Sequence, residues 1–189
     1  MNSSSEGKGG AKSGAVRIIA GRFRGRRIHV PARPGVRPTP DRVRETLFNW
    51  LGQWLDGLDC LDLFAGSGAL GFEAASRGAA RVVMVEQDRE AFRALERTRE
   101  LLAIPQLELV NEDAFAYLAR SREQFDVVFL DPPFRQNALG AALEALGSRV
   151  APGGRVYAEA REPLEPGTAW RELRRARAGQ VSYQLLERQ

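Results

Sequence analysis

The chain has 189 residues, of which 43% are hydrophobic and 28% charged, a size and mixture that suit one folded domain with an extension and exclude collagen-like or disordered low-complexity classes. A single cysteine, Cys60, excludes an intrachain disulfide, and a single histidine, His29, is too little for a metal cluster, so no metal site is expected. Apolar runs fall short of a bilayer span and no signal-peptide core opens the chain, which makes a cytoplasmic protein the expectation.

The net charge of +4 is unevenly spread. Residues 1–45 hold 11 basic and 3 acidic side chains, whereas the remainder holds 17 basic and 21 acidic. Residues 1–15, rich in Ser, Gly and Lys, have little to bury and are expected to form a disordered tail. Residues 16–55 then read as a basic extension. Arg17-Ile18-Ile19-Ala20 and Arg27-Ile28-His29-Val30 alternate like strands around Gly-Arg-Phe-Arg-Gly, which predicts a hairpin presenting Phe23 and arginines at its tip. Prolines 31, 34, 38 and 40 keep the following stretch extended. A basic concentration of this kind is the footprint of a polyanion partner, and arginine binds phosphate with forked geometry. The candidate RNA contacts are Arg17, Arg22, Arg24, Arg26, Arg27, Arg37, Thr39, Arg42 and Arg44. A merely solvated charged face is the alternative.

Thr39-Pro40-Asp41 reads as a helix start, with Thr39 or Asp41 as cap. The helix is predicted over about 42–54, with Val43, Leu47, Trp50, Leu51 and Trp54 facing the main domain and Arg42, Arg44 and Asn49 on other faces. Residues 56–189 form the predicted main domain. Its first feature is Leu61-Asp62-Leu63-Phe64-Ala65-Gly66-Ser67-Gly68-Ala69-Leu70-Gly71, an apolar run that ends in a glycine turn and passes into an alanine-rich helix. Strand, glycine turn and helix N-terminus together cradle nucleotide cofactors, because backbone N–H groups are exposed to the ligand without a Cβ in the way. Asp62, Phe64, Ala65, Gly66, Ser67, Gly68 and Leu70 are the candidate contacts. Glu86, followed by Gln87, closes the run Val82-Val83-Met84-Val85 where a ribose-binding acid is expected. At this point NAD and S-adenosylmethionine both remain open, while the absence of Lys-Ser/Thr after the glycines argues against a P-loop.

Beyond it the pattern alternates: helix to about 77, strand 81–86, helix 88–102, strand 107–110, then a helix that Asp113 can cap just before Ala114. The run Phe125 to Leu130 forms the next strand and ends in Asp131-Pro132-Pro133-Phe134. The first proline biases Asp131 toward extended backbone, and carbonyls beside prolines stay available to a ligand donor. An amino group could donate there to the Asp131 carboxylate and the Pro132 carbonyl while its base stacks on Phe134. A helix over about 137–149, a strand over 155–160 and a closing hairpin of 169–175 and 181–186 complete the reading. A cysteine-nucleophile mechanism is disfavoured, because Cys60 precedes the cofactor loop.

The Asp131-Pro132-Pro133-Phe134 tetrad resembles the methylation motif of class I methyltransferases that act on exocyclic amino groups. The stretch from Thr39 to Leu51, with Arg17-Ile18-Ile19-Ala20-Gly21 and Arg24-Gly25-Arg26, resembles the N-terminal signature of bacterial 16S ribosomal RNA guanine-N2 methyltransferases. With the glycine loop, the resemblance runs from Val16 to the C-terminus. It implies an α/β, Rossmann-like class I methyltransferase domain with a seven-stranded mixed sheet and an N-terminal hairpin and helix extension. It also implies S-adenosylmethionine as cofactor, 16S ribosomal RNA within the small subunit or its precursor as partner, and a monomer. Asp131, Pro132, Pro133 and Phe134 become the catalytic candidates, and Asp113 with the Ala114 backbone the adenine-end contact. The tetrad alone also admits adenine-N6 methylation. An NAD-dependent oxidoreductase and a non-catalytic RNA-binding module are the rivals from other classes; the first leaves the tetrad unexplained and the second needs only the arginines.

Overall fold

The computed structural model describes residues 14–30, 39–132 and 138–189. Strands β1 (Gly14–Arg17) and β2 (Arg27–Val30) pair antiparallel, and α1 (Asp41–Leu51) follows. The main domain contains β3 (Asp59–Asp62), α2 (Ala69–Ser76), β4 (Arg81–Val85), α3 (Arg89–Leu102), β5 (Leu107–Val110), α4 (Ala114–Arg120), β6 (Phe125–Leu130), α5 (Ala138–Leu146), β7 (Val150–Ala160), β8 (Trp170–Ala178) and β9 (Val181–Arg188). The seven strands of its sheet lie in the order β5-β4-β3-β6-β7-β9-β8. The five strands from β5 to β7 are parallel, and β9 enters antiparallel between β7 and β8.

Alternation along each strand supplies two apolar faces, as a sheet covered on both sides requires. Cys60, Val82, Met84, Val127, Phe129, Tyr157 and Leu185 point to one face with α1, α2 and α3. Leu61, Val83, Val85, Val128, Leu130 and Val156 point to the other, under α4 and α5. The hairpin residues Val16, Ile18, Phe23, Ile28 and Val30 join the first cluster, so the extension shares the main domain's core.

Several elements depart from expectation. Strand β1 begins at Gly14, inside the stretch expected to be a disordered tail; the rest of that tail, 1–13, lies outside the described residues. Phe23 is buried rather than presented at the hairpin tip, because the turn folds back on α2: the Phe23 N–H donates to Ser76 Oγ (2.9 Å) and the Arg22 N–H to the Ser76 carbonyl (2.8 Å). Helix α1 stops at Leu51, where Gly52 takes a left-handed conformation and donates to the Asn49 carbonyl, so Trp54 falls beyond the helix and is 60% exposed. Trp50 does face inward, stacked on Tyr183. Pro40 holds the N-cap position, and neither Thr39 nor Asp41 caps the helix by its side chain. Strand β7 starts at Val150, five residues early, because a bulge absorbs Pro152-Gly153-Gly154: Phe125 pairs with Val150 and Val127 with Arg155.

The extension is clamped to the domain by one buried carboxylate, Glu73 on α2. It accepts from the Ile19 N–H (2.7 Å), the Ala20 N–H (3.0 Å), Arg77 Nε (2.8 Å) and Arg44 Nη1 (3.4 Å). Arg44 is fully buried and also donates to the Arg17 carbonyl and Asp41, while the Arg77 guanidinium lies over the Phe48 ring. Arg44, expected on a free helix face for RNA, is therefore a structural ion-pair partner. Removing one member of a buried ion network leaves the others uncompensated, at about 3–5 kcal/mol. Glu73→Ala is thus expected to lower unfolding free energy by about that amount in urea titration; a loss below about 1 kcal/mol, the range of an exposed pair, would contradict the clamp.

Candidate functional site

The site lies at the C-terminal ends of the parallel strands, where open α/β sheets bind ligands. After β3 the chain turns through Phe64 to Gly68. The Ala65 N–H donates to the Val85 carbonyl (2.9 Å) and the Gly68 N–H to the Ala65 carbonyl (2.6 Å). Behind this loop Asp62 is buried and accepts the Gly71 N–H through Oδ2 (2.9 Å), tying the first turn of α2 to β3. Burial pushes the Asp62 carboxyl up to about 7, with the Gly71 N–H opposing and Glu86 reinforcing the shift.

The two loop glycines do different work. Gly66 has φ +51°, and a Cβ built there would meet nothing closer than the Phe64 carbonyl oxygen at 3.8 Å. Gly68 has φ +78°, and its Cβ would stand 2.6 Å from Leu95 Cδ2 and 2.7 Å from the Phe72 ring. The first glycine keeps open space in front of the loop; the second lets α2 pack on α3.

Glu86 follows β4 and accepts from the Gly66 N–H (2.8 Å, Oε2) and the Asp88 N–H (2.7 Å, Oε1), while Asn111 Nδ2 donates to its carbonyl (2.7 Å). The acid is thus aimed at the glycine loop from the neighbouring strand, with Gln87 exposed beside it. Asp113 caps α4, its Oδ1 accepting from the Phe115 and Ala116 N–H groups (2.9 and 3.0 Å). Phe64 and the exposed edge of Phe115 meet edge to face at 6.5 Å beside this cap. These features fit an adenosyl cofactor: glycine backbone for its close approach, the 86 carboxylate for ribose hydroxyls, and the 113 cap beside two aromatic rings for a base. Ser67 belongs to the same loop, its Oγ accepting weakly from the Ala69 N–H (3.4 Å), and Ala114 opens α4. Leu70 lies in the first turn of α2 with its side chain in the core, so any cofactor contact from it would come from its backbone.

On the adjoining strand, Asp131 follows β6, which pairs directly with β3. Thr39, just before α1, is buried and donates from Oγ1 to Asp131 Oδ2 (3.4 Å). Expected at an RNA-facing surface, Thr39 lies against the candidate catalytic acid. Burial, then the charges of Glu159 and Asp62, hold the Asp131 carboxyl well above the ordinary carboxylate range, with the Thr39 bond opposing. Pro132 is buried; Pro133 and Phe134 lie outside the described residues, as does Arg37. Sequence reading missed Glu159, on β7 beside Asp131, and Tyr157, whose hydroxyl donates to Glu159 Oε2 (2.7 Å). The one available signal was an acid closing an apolar strand, Val156-Tyr157-Ala158-Glu159, in the manner of Asp62, Glu86 and Asp131. Cys60 is buried and burial pushes its thiol far up, so it is no nucleophile.

Arg22, Arg24, Arg26 and Arg27 are exposed around the hairpin turn, and Arg42 is exposed on α1. Arg17 is exposed and paired with Asp41 (3.4 Å).

Fold and site define a class I, Rossmann-like methyltransferase: the mixed sheet with its reversed β9, the glycine loop, and the Asp-Pro at the end of β6. Comparison with known proteins narrows this. A family described as Conserved hypothetical protein 95 matches residues 16–187. The ribosomal RNA small subunit methyltransferase D of Escherichia coli K12 is 42% identical over 183 residues, covering 94% of this chain and 92% of that one. Its namesake in Haemophilus influenzae is 42% identical over 182 residues, covering 92% and 94%. A solved Escherichia coli structure titled a putative methyltransferase superposes with a TM-score of 0.84 at 40% identity, covering 93% of this chain and 99% of that one. A Thermus thermophilus 16S rRNA N2 G1207 methyltransferase, solved with AdoMet and guanosine, shares the fold at TM-score 0.72 and 23% identity, covering 94% of this chain and 50% of that one. The chain belongs to the ribosomal RNA small subunit methyltransferase D family.

The glycine geometry separates binding from folding. Gly66→Ala should weaken S-adenosylmethionine binding tenfold or more by calorimetry and lose about 1 kcal/mol of stability to left-handed strain alone. Gly68→Ala should lose about 1–3 kcal/mol beyond the same strain, through overpacking. Wild-type cofactor affinity in Gly66→Ala would remove Gly66 from the binding surface.

Proposed function

We propose that this protein transfers a methyl group from S-adenosylmethionine to the exocyclic N2 amine of a guanine in small-subunit ribosomal RNA. The observation that carries the reading is the half-buried Asp131 carboxylate beside Pro132 at the C-terminal ends of the strands, joined by Thr39 and one strand over from the glycine loop. Family membership supports RNA of the small subunit as substrate, and the exposed arginines of the hairpin and α1 support a phosphate backbone beside the site.

Gly66, Glu86 and Asp113 would hold the cofactor, which when bound supplies a sulfonium-activated methyl group. The chain's own contribution is positioning and electrostatics. Guanine N2 is a weak nucleophile because its lone pair is delocalised into the ring. Accepting its two protons at the Asp131 carboxylate and the Pro132 carbonyl aims that lone pair and disperses the positive charge that develops on nitrogen. A carboxylate held above its ordinary range is also a better proton acceptor as the amine acidifies. Thr39 fixes the orientation of Asp131, so the extension takes part in arranging the acid. Phe134, three positions after the acid in sequence, would stack on an extruded base.

Catalysis and RNA binding are separable on this account. Asp131→Ala should abolish methyl transfer while calorimetric cofactor affinity persists. Neutralising Arg22, Arg24 and Arg26 together should weaken RNA association and flatten its salt dependence, each lost phosphate contact lowering the log–log slope by roughly 0.7–0.9. Unaltered turnover in Asp131→Ala would sink the assigned chemistry, and an unchanged salt slope would return those arginines to solvent.

A further inference from the structure

The C-terminal edge of the sheet carries a second acid that the transfer chemistry does not use. Strands β6 and β7 pair in parallel with Leu130 opposite Ala158, which places Asp131 and Glu159 side by side at the next position. Both follow residues, Phe129 and Tyr157, whose side chains lie in the core cluster beneath α1, so the two acids share that face of the sheet. Glu159 is buried, at 7% exposure, yet no arginine or lysine among the described residues pairs with it. Its Oε2 is fixed by the Tyr157 hydroxyl at 2.7 Å, and no donor among the described residues reaches Oε1. Oε1 is not among the sealed, unpartnered atoms of the interior, so it stays open to a donor that a ligand brings.

We propose that Glu159 is a specificity residue that reads the base by accepting the N1–H of guanine through Oε1, beside the N2 amine held at Asp131. The inference rests on the function proposed above and adds how guanine is chosen. The Watson–Crick edge of guanine presents two adjacent donors, N1–H and N2–H, and two adjacent carboxylates accept both. Adenine seated with its N6 amine at Asp131 brings the N1 lone pair, an acceptor, against Glu159. That arrangement sets two acceptors face to face in a buried place, which is how a site built on hydrogen bonds rejects the wrong partner. Tyr157 serves by holding one carboxylate oxygen so that the other keeps its direction.

The test uses 2-aminopurine, which keeps the 2-amino group but has an acceptor at N1. Small subunits are reconstituted on RNA ligated with either guanine or 2-aminopurine at the methylated position, and kcat/KM for methyl transfer is measured for each. The wild-type protein should prefer guanine. Glu159→Gln, whose amide can donate as well as accept, should reduce that preference by about 10- to 100-fold, the range of a hydrogen bond to a charged group. Glu159→Ala should lose activity on guanine by a similar factor and gain activity on 2-aminopurine, whose N1 acceptor no longer meets a carboxylate. Because the missing O6 of 2-aminopurine affects every variant alike, the change in ratio isolates the contact at N1. Equal loss on both bases would overturn the proposal in favour of a structural role through Tyr157, and so would an unchanged ratio in both variants. Wild-type protein that methylates neither base would overturn the guanine-N2 function itself, a result distinct from either.

Discussion

One buried carboxylate couples the parts of this molecule. Glu73 sits on the helix that follows the glycine loop, and it gathers two backbone N–H groups of the extension together with Arg44 and Arg77. Two buried guanidiniums need two carboxylates, Glu73 and the Asp41 that pairs with Arg44, so the extension and α1 are held to α2 in the seating that brings all four charges together. That seating brings Thr39, which lies just ahead of α1, onto the Asp131 carboxylate. The arginine-bearing hairpin and the approach of Thr39 to the proposed catalytic acid therefore depend on one ion network, while Asp62 and Glu86 hold the glycine loop.

A second pattern follows from the sheet. Asp62 ends β3, Glu86 and Asp131 follow β4 and β6, and Glu159 lies near the end of β7, so four acids line one edge. Each is assigned by what reaches it. Asp62 takes a helix N–H and stays behind the loop; Glu86 takes loop N–H groups and faces the cofactor side; Asp131 and Glu159 face each other's charge beneath the start of α1. Crowding acids in a dry place raises their proton affinity, and that is useful where a reacting amine must shed a proton.

Much of this was legible in the sequence because it depends on local rules. The alternation of apolar runs and helical periods gave the strands and helices in order, and the glycine loop with Glu86 twenty residues on marked the cofactor side. What escaped was decided by partners distant in sequence. Arg44 has the same helical spacing as a solvated arginine, and only Glu73, brought against it from α2, makes it a buried one. Phe23 sits between arginines in a glycine-flanked turn, and its burial depends on Ser76 capturing that turn. Thr39 and Glu159 were hidden for the same reason: each meets Asp131 only through sheet register or the docking of the extension. Trp54 illustrates a local miss, since Gly52 ends the helix early by its left-handed backbone.

The most direct test of the account is the identity of the methylated nucleoside. The protein is incubated with radiolabelled S-adenosylmethionine and small ribosomal subunits from cells lacking it, the RNA is digested, and the labelled nucleoside is separated. The account predicts label in N2-methylguanosine. Label in N6-methyladenosine would contradict the reading of the base, and no label on subunits or naked RNA would contradict the reading of the enzyme.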